Sequence, residues 1–96
     1  MLFRSKGGSG NDVQDGGTGN DSQDGGTGND IVKGGAGTDN LVGGKGKDTI
    51  FGNAGNDTII SKDGQKDKVD CGTGTDKVTA DKADVVAKNC ETVTKK

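Results

Sequence analysis

The sequence predicts an all-β fold, a solenoid of short strands separated by glycine turns, and three observations predict it. Asp12, Asp21, Asp30, Asp39, Asp48 and Asp57 recur at intervals of nine residues without exception. A glycine-rich loop precedes each aspartate, and a short stretch centred on Gln14, Gln23, Val32, Leu41, Ile50 or Ile59 follows it. Self-similarity at a fixed period marks a stacked repeat architecture, in which each unit buries its apolar side only against its neighbours.

The six nonapeptides read GGSGNDVQD, GGTGNDSQD, GGTGNDIVK, GGAGTDNLV, GGKGKDTIF and GNAGNDTII. Glycine holds positions one and four throughout and position two in five of the six, where only Asn53 departs. Such loops permit positive φ, so the chain turns sharply with its carbonyls exposed. Positions seven to nine make a short strand whose position eight points inward. The core therefore starts with Gln14 and Gln23 and strengthens through Val32, Leu41, Ile50 and Ile59. The two glutamines read either as a polar terminal cap or as a degenerate first coil. Ile31, Val42, Phe51 and Ile60 fall on outward positions, with Val42 and Ile60 stacked; they are ordinary surface hydrophobes or a docking face.

This pattern resembles the RTX, or haemolysin-type, calcium-binding repeat family, closely over residues 7–60 and more loosely beyond. The resemblance implies a right-handed parallel β-roll, a calcium-loaded β-solenoid in which two nonapeptides make one coil and strands stack about 4.8 Å apart. Asp12, Asp30 and Asp48 then form one column and Asp21, Asp39 and Asp57 another. It also implies one ion between each loop and the next loop on its side, four such pairs in all, with each aspartate bridging. Backbone carbonyls complete the shells: Gly7, Gly8 and Gly10, then Gly16, Gly17 and Gly19, then Gly25, Gly26 and Gly28 in the first three repeats. Gly34, Gly35 and Gly37, then Gly43, Gly44 and Gly46, and finally Gly52, Asn53 and Gly55 serve the last three. Asn53 fits because only its backbone is required.

The chemistry of the columns points to Ca²⁺. Stacked carboxylates repel, and an all-oxygen shell of carboxylates and carbonyls suits a hard ion of flexible geometry with about 6–8 ligands; Mg²⁺ demands an octahedron and keeps its water. Metal binding and folding are expected to be one event, with the metal-free chain disordered. Extracellular calcium modules bind at about 10⁻⁴–10⁻³ M, so folding would wait for export.

Composition agrees with a fold that leans on something besides a core. With 96 residues, 25% of them hydrophobic, two aromatics and 20 glycines, the chain allows one domain and no ordinary layered core. Without the repeat, that composition would belong to a disordered segment. Residues 1–60 carry eight Asp against five basic residues and residues 61–96 seven acids against eight lysines, so neither part is basic enough for nucleic acid. No apolar stretch nears the roughly 20 residues of a membrane span, and no secretory signal is visible. Residues 1–6 read as a non-native or disordered leader, because Leu2-Phe3-Arg4-Ser5 is what CTC-TTC-CGA-TCT encodes, a string resembling a sequencing-adapter end.

Beyond Ile60 the pattern loosens. Residues 61–79 hold two degenerate repeats, the seventh read as 62–70 with Asp67 and Val69, the eighth as 71–79 with Asp76 and Val78. Asp67 and Asp76 are candidates for further ions. Residues 80–96 lack loop glycines and form a cap and tail through Ala83, Val85, Val86, Cys90 and Val93, with Cys90 on the last strand. Cys71 and Cys90 lie nineteen residues apart, about one coil. Stacking brings them toward the roughly 5.5 Å Cα separation of a disulfide, two buried free thiols being the other reading. A disulfide departs from the cysteine-poor toxins of the family and favours a Sec-type export route.

Catalytic chemistry has no foothold here. The chain has no His or Tyr, Ser5, Ser9, Ser22 and Ser61 have no base, and Gly44-Lys45 and Gly46-Lys47 lack the spacing of a phosphate loop. An enzyme would belong to an upstream domain of a larger parent. The leading expectation is calcium binding by a structural module of a secreted or cell-surface protein. Adhesion or self-association is the alternative. Ice binding by rows of Thr and Asn comes third, because Ser9 and Thr27 run into Lys45, Asn11 and Asn29 into Lys47, and Thr18 into Ala36 and Ala54.

Overall fold

The computed structural model describes residues 2–6, 8–61, 65–82, 84–87 and 89–95. Each repeat contributes one strand, because the glycines of positions one to four end the extended backbone and positions seven to nine restart it. The strands are β1 (Leu2–Lys6), β2 (Val13–Asp15), β3 (Asn20–Asp24), β4 (Ile31–Lys33), β5 (Asn40–Val42), β6 (Thr49–Phe51), β7 (Thr58–Ile60), β8 (Lys68–Asp70), β9 (Lys77–Ala80), β10 (Val85–Val86) and β11 (Thr92–Lys95). Odd strands form one sheet in the order β1-β3-β5-β7-β9-β11, and even strands a second in the order β2-β4-β6-β8-β10. Every pairing is parallel. The chain thus alternates between two sheets at each loop, which is a β-roll, in a body only 14 Å thick. There is no helix among the described residues, hence none long and apolar enough to cross a membrane.

Side chains alternate across each strand, so the residue at position eight of each repeat points inward. Val32, Leu41, Ile50 and Ile59 are fully buried, and Val69 and Val78 continue the column at 3% and 2% exposure. Each such side chain contributes about 1.5–3 kcal/mol. Gln14 and Gln23 are also buried, and their Nε2 groups donate to the carbonyls of Asp24 and Lys33 at 3.1 and 2.8 Å. Their amides span the roll from sheet to sheet where an apolar side chain would fill it. Val42 pairs with Ile60, as the stacking predicts.

The register tells where the repeat breaks. Val13 lies opposite Ile31 and Ile31 opposite Thr49, eighteen residues on each time, but Thr49 lies opposite Lys68, nineteen on. Ser61 explains the step: its N–H donates to Thr79 O at 2.9 Å just as Gly43 N–H donates to Ile60 O at 3.1 Å. Ser61 therefore occupies position one, and the seventh repeat runs from 61 to 70 rather than from 62. Lys62, Asp63 and Gly64 lie outside the described residues.

At the ends, two expectations are corrected. Leu2–Lys6 pairs in parallel with β3, so these residues extend the sheet and are not a disordered leader. Cys90 sits in the turn before β11 rather than on a strand, because β11 starts at Thr92 opposite Lys77. The cap does close on the roll: Val86 packs on the core, β10 and β11 continue the two sheets, and Cys71 and Cys90 are joined with a Cα separation of 5.2 Å. Free thiols are thereby excluded. Val85 and Val93 are exposed, and Ala83 lies outside the described residues.

Candidate metal centre

The loops stack so tightly that only a residue without Cβ fits most of their positions. At Gly35, φ is +84° and an added Cβ would meet Gly17 O at 2.0 Å. Asn53 is the one non-glycine with positive φ among the described residues, at 66°, a conformation asparagine tolerates better than most. The close approaches fall into two sets. Carbonyls of positions two and four lie against the following coil, as Gly17 O does against Gly35, Gly19 O against Gly37 and Gly37 O against Gly55. Carbonyls of position one lie against the preceding coil, as Gly43 O does against Gly25 and Gly52 O against Gly34. Each inter-loop space thus receives oxygens from both sides. Gly8 O and Gly26 O accept one hydrogen bond each, from Thr27 and Lys45 N–H, and retain a second lone pair.

The aspartates enter this space as two ladders. Asp30 Oδ1 accepts from Asp12 N–H and Asp48 Oδ1 from Asp30 N–H, while Asp39 Oδ1 accepts from Asp21 N–H and Asp57 Oδ1 from Asp39 N–H, all at 2.8–2.9 Å. Asp67 and Asp76 continue the ladders at 2.7 and 2.8 Å, accepting from Asp48 and Asp57. The structure therefore brings all eight predicted aspartates into two columns. Gly7 lies outside the described residues.

Oδ2 is different. In Asp12, Asp21, Asp30, Asp39, Asp57 and Asp76 it is buried with no hydrogen-bond donor. It points back into its own loop: Cβ atoms added at Gly34 and Gly52 would each lie 2.7 Å from Oδ2 of Asp39 and Asp57. Burial raises the pKa of Asp30, Asp39, Asp57 and Asp76 above the usual carboxylate range. Asp57 reaches about 7, with the carboxylates of Asp39 and Asp76 adding to desolvation against the lowering effect of the Asp39 N–H.

A buried anionic oxygen without a donor beside converging carbonyls is the environment a hard cation completes. Among the described residues no three acidic, His or Cys side chains converge, so carboxylates alone cannot cage an ion and carbonyls must supply most of the shell. That donor set fits Ca²⁺, not a thiophilic or imidazole-seeking metal.

The structure adds residues the sequence reading missed. Asp84 takes the next rung, its Oδ1 accepting from Asp67 N–H at 2.8 Å and its Oδ2 from Asp81 N–H at 2.7 Å and Ser61 Oγ at 3.0 Å. Both oxygens are satisfied by the protein, so Asp84 closes the ladder without an ion. At position five, Asn11, Asn20, Asn29 and Asn56 accept from the loop one coil on, at Asn29, Thr38, Lys47 and Thr75. Asp15, Asp24 and Asp70 cap the next loop at Gly17, Gly26 and Gly72. The recurring Gly-Asn-Asp triplet carried the signal for the asparagines.

Comparison with known proteins agrees with this geometry. The family described as RTX calcium-binding nonapeptide repeat matches in four copies over residues 6–23 and 34–65, just over half of the chain. No curated protein and no solved structure matches the chain significantly.

Proposed function

The chain belongs to the RTX calcium-binding nonapeptide repeat family, whose repeats bind Ca²⁺, and from that premise we propose that it is a calcium-driven folding module of a secreted or cell-surface protein. The observation that carries this reading is the row of buried Oδ2 atoms without donors in both columns. Such atoms each cost about 1–3 kcal/mol, more when charged, so the roll holds a standing penalty that ion binding removes. Asp12, Asp21, Asp30, Asp39, Asp48, Asp57, Asp67 and Asp76 are the carboxylate ligands in this reading. The carbonyls of positions one, two and four of repeats one to six complete the shells, and Asp84 marks the ion-free end.

The disulfide supports an oxidising compartment. A central column of only six apolar residues supports a fold that waits for about millimolar calcium, as extracellular modules do. The module would then serve as the calcium-set end or spacer of a larger parent. Far-ultraviolet circular dichroism of the oxidised chain during calcium titration is the test. The expected result is a cooperative gain of strand signal, reversed by chelator; strand content unchanged by chelation sinks the proposal.

A further inference from the structure

The outer face of the even-strand sheet carries two parallel rows of side chains. Position seven presents Val13, Ile31, Thr49, Lys68 and Val85, and position nine presents Asp15, Lys33, Phe51, Asp70 and Ala87, in register along β2, β4, β6, β8 and β10. Val13, Ile31 and Val85 are 69%, 38% and 51% exposed, and a shallow groove lined by Phe51, Val85 and Ala87 runs across the face. Five strands leave β6 at the centre, so the face can be compared with itself.

A two-fold axis lying along β6 in the plane of the face turns a second copy over and reverses its strand order. β2 then meets β10, β4 meets β8 and β6 meets itself, while each row stays opposite its own kind. Val13 falls on Val85, and Phe51 falls on Phe51 over the groove. Lys33 falls on Asp70, twice by symmetry, and the apolar stem of Lys68 covers Ile31. Val13 on Val85 and Phe51 on Phe51 match apolar to apolar and Lys33 on Asp70 matches base to acid, as an isologous interface requires, while Asp15 falls on Ala87 at the edge of the face. The other face-to-face arrangement, with the axis along the roll, keeps Lys68 on Asp70 and Val85 on Ala87 but sets Asp15 on Val13, Lys33 on Ile31 and Thr49 on Phe51, so that the exposed Val13 and Ile31 both meet charges.

We infer that a second copy of this chain docks on the even-strand face through that two-fold axis, with Phe51 at its centre and Lys33 paired to Asp70 of the other copy. A face bounded by 31 × 28 Å offers at most on the order of 850 Å² per copy, so an interface of the standard about 800 Å² per partner would use nearly all of it. The dimer rests on the roll being folded in calcium, so circular dichroism of each variant in calcium separates loss of folding from loss of association.

Sedimentation equilibrium in saturating calcium tests the inference. The wild type is expected to show a monomer–dimer equilibrium. Phe51→Lys sets two ammonium groups on the axis, and Lys33→Asp opposes two acids; each is expected to weaken association at least tenfold while leaving the strand signal intact. Asp70→Lys removes an acceptor used by Gly72 N–H and the Asn89 amide, so its folding is checked first. Mixed with Lys33→Asp it is expected to restore a heterodimer. Thr58→Lys, on the opposite sheet, is expected to associate as the wild type does. A wild type that stays monomeric at several hundred micromolar overturns the inference, as does undiminished dimer in Phe51→Lys and Lys33→Asp, or a dimer lost in Thr58→Lys.

Discussion

The backbone N–H of Asp39 donates to Oδ1 of Asp57, one coil further on, at 2.9 Å, while Oδ2 of Asp57 lies buried without a donor. One oxygen ties the coils together, and the other is the ligand that the proposed function assigns to the cation. Burial and the flanking carboxylates raise the Asp57 pKa to about 7. A carboxylate whose pKa is higher folded than unfolded favours the metal-free roll below its unfolded value near 3.8, and that contribution is lost as pH rises through about 7. Acidification from pH 7.5 to pH 5 is therefore expected to add strand signal to the chelated chain. Protons compete with the ion over the same window, so the calcium midpoint is expected to move to higher concentration. Circular dichroism titrations at the two pH values check both directions.

Replacing Asp57 separates its two oxygens. Asp57→Asn keeps an acceptor for Asp39 N–H and removes the charge, so the chelated chain is expected to be more structured than wild type and to need more calcium for full folding. Asp57→Ala loses that acceptor as well, leaving a buried N–H unpaired at a cost of about 1–3 kcal/mol. Isothermal titration with calcium alongside thermal unfolding distinguishes the pair; equal behaviour of the two variants contradicts this division of labour.

Gly46 and Gly10 occupy the same position four, yet their surroundings differ. Both have positive φ, +112° and +95°, but a Cβ at Gly46 would lie 2.1 Å from Gly28 O whereas one at Gly10 would meet nothing within 4 Å. Gly10→Ala is expected to cost only the left-handed backbone term, about 1–2 kcal/mol. Gly46→Ala must also push two coils apart, and is expected to cost more and to weaken calcium binding. Thermal midpoints in saturating calcium give the comparison.

Most of the fold was legible because the repeat is rigid. Nine-residue spacing places Asp12 to Asp57 and the inward column from Gln14 to Ile59 without reference to anything distant. Where the spacing slips, legibility goes with it. From Asp57 the rungs follow at ten, nine and eight residues, to Asp67, Asp76 and Asp84. A nine-residue frame set back from Asp67 therefore starts the seventh repeat one residue late, and one carried on from Asp76 passes over Asp84. Ser61 could not be read as a loop residue from sequence, because it fills a glycine position through one backbone bond to Thr79 that only the stacked coil supplies. The pairing of β1 with β3 was hidden for another reason: residues 2–6 carry none of the loop signals that mark a coil.

The Cys71–Cys90 bond joins position one of the eighth repeat to the terminal turn, where Asn89 Oδ1 also accepts from Cys71 N–H at 3.3 Å. Closing a loop of this length, nineteen residues in sequence separation, stabilises by about 3 kcal/mol through the unfolded chain. Reduction is expected to lower the thermal midpoint in calcium by on the order of 10 °C or more and to raise the calcium needed for folding. A Cys71→Ser, Cys90→Ser double variant with an unchanged midpoint contradicts the role.

Gln23 is the place where the roll is open to improvement. It is 1% exposed, its Nε2 donates to Lys33 O at 2.8 Å, and its Oε1 is buried without a donor. Leucine at this position stands over Leu41, its partner in the register. The substitution leaves nothing unpaired, because Lys33 O still accepts from Gly16 N–H at 2.9 Å. It removes an orphaned oxygen and extends the apolar column by one coil, so Gln23→Leu is expected to stabilise by about 1–2 kcal/mol. That corresponds to a rise of roughly 4–8 °C per kcal/mol in thermal midpoint for a domain of this size. Calcium demand is expected to fall at the same time, since folding and binding share one free energy. A variant that folds with a lower midpoint would mean that the sheet-to-sheet amide bond outweighs both gains.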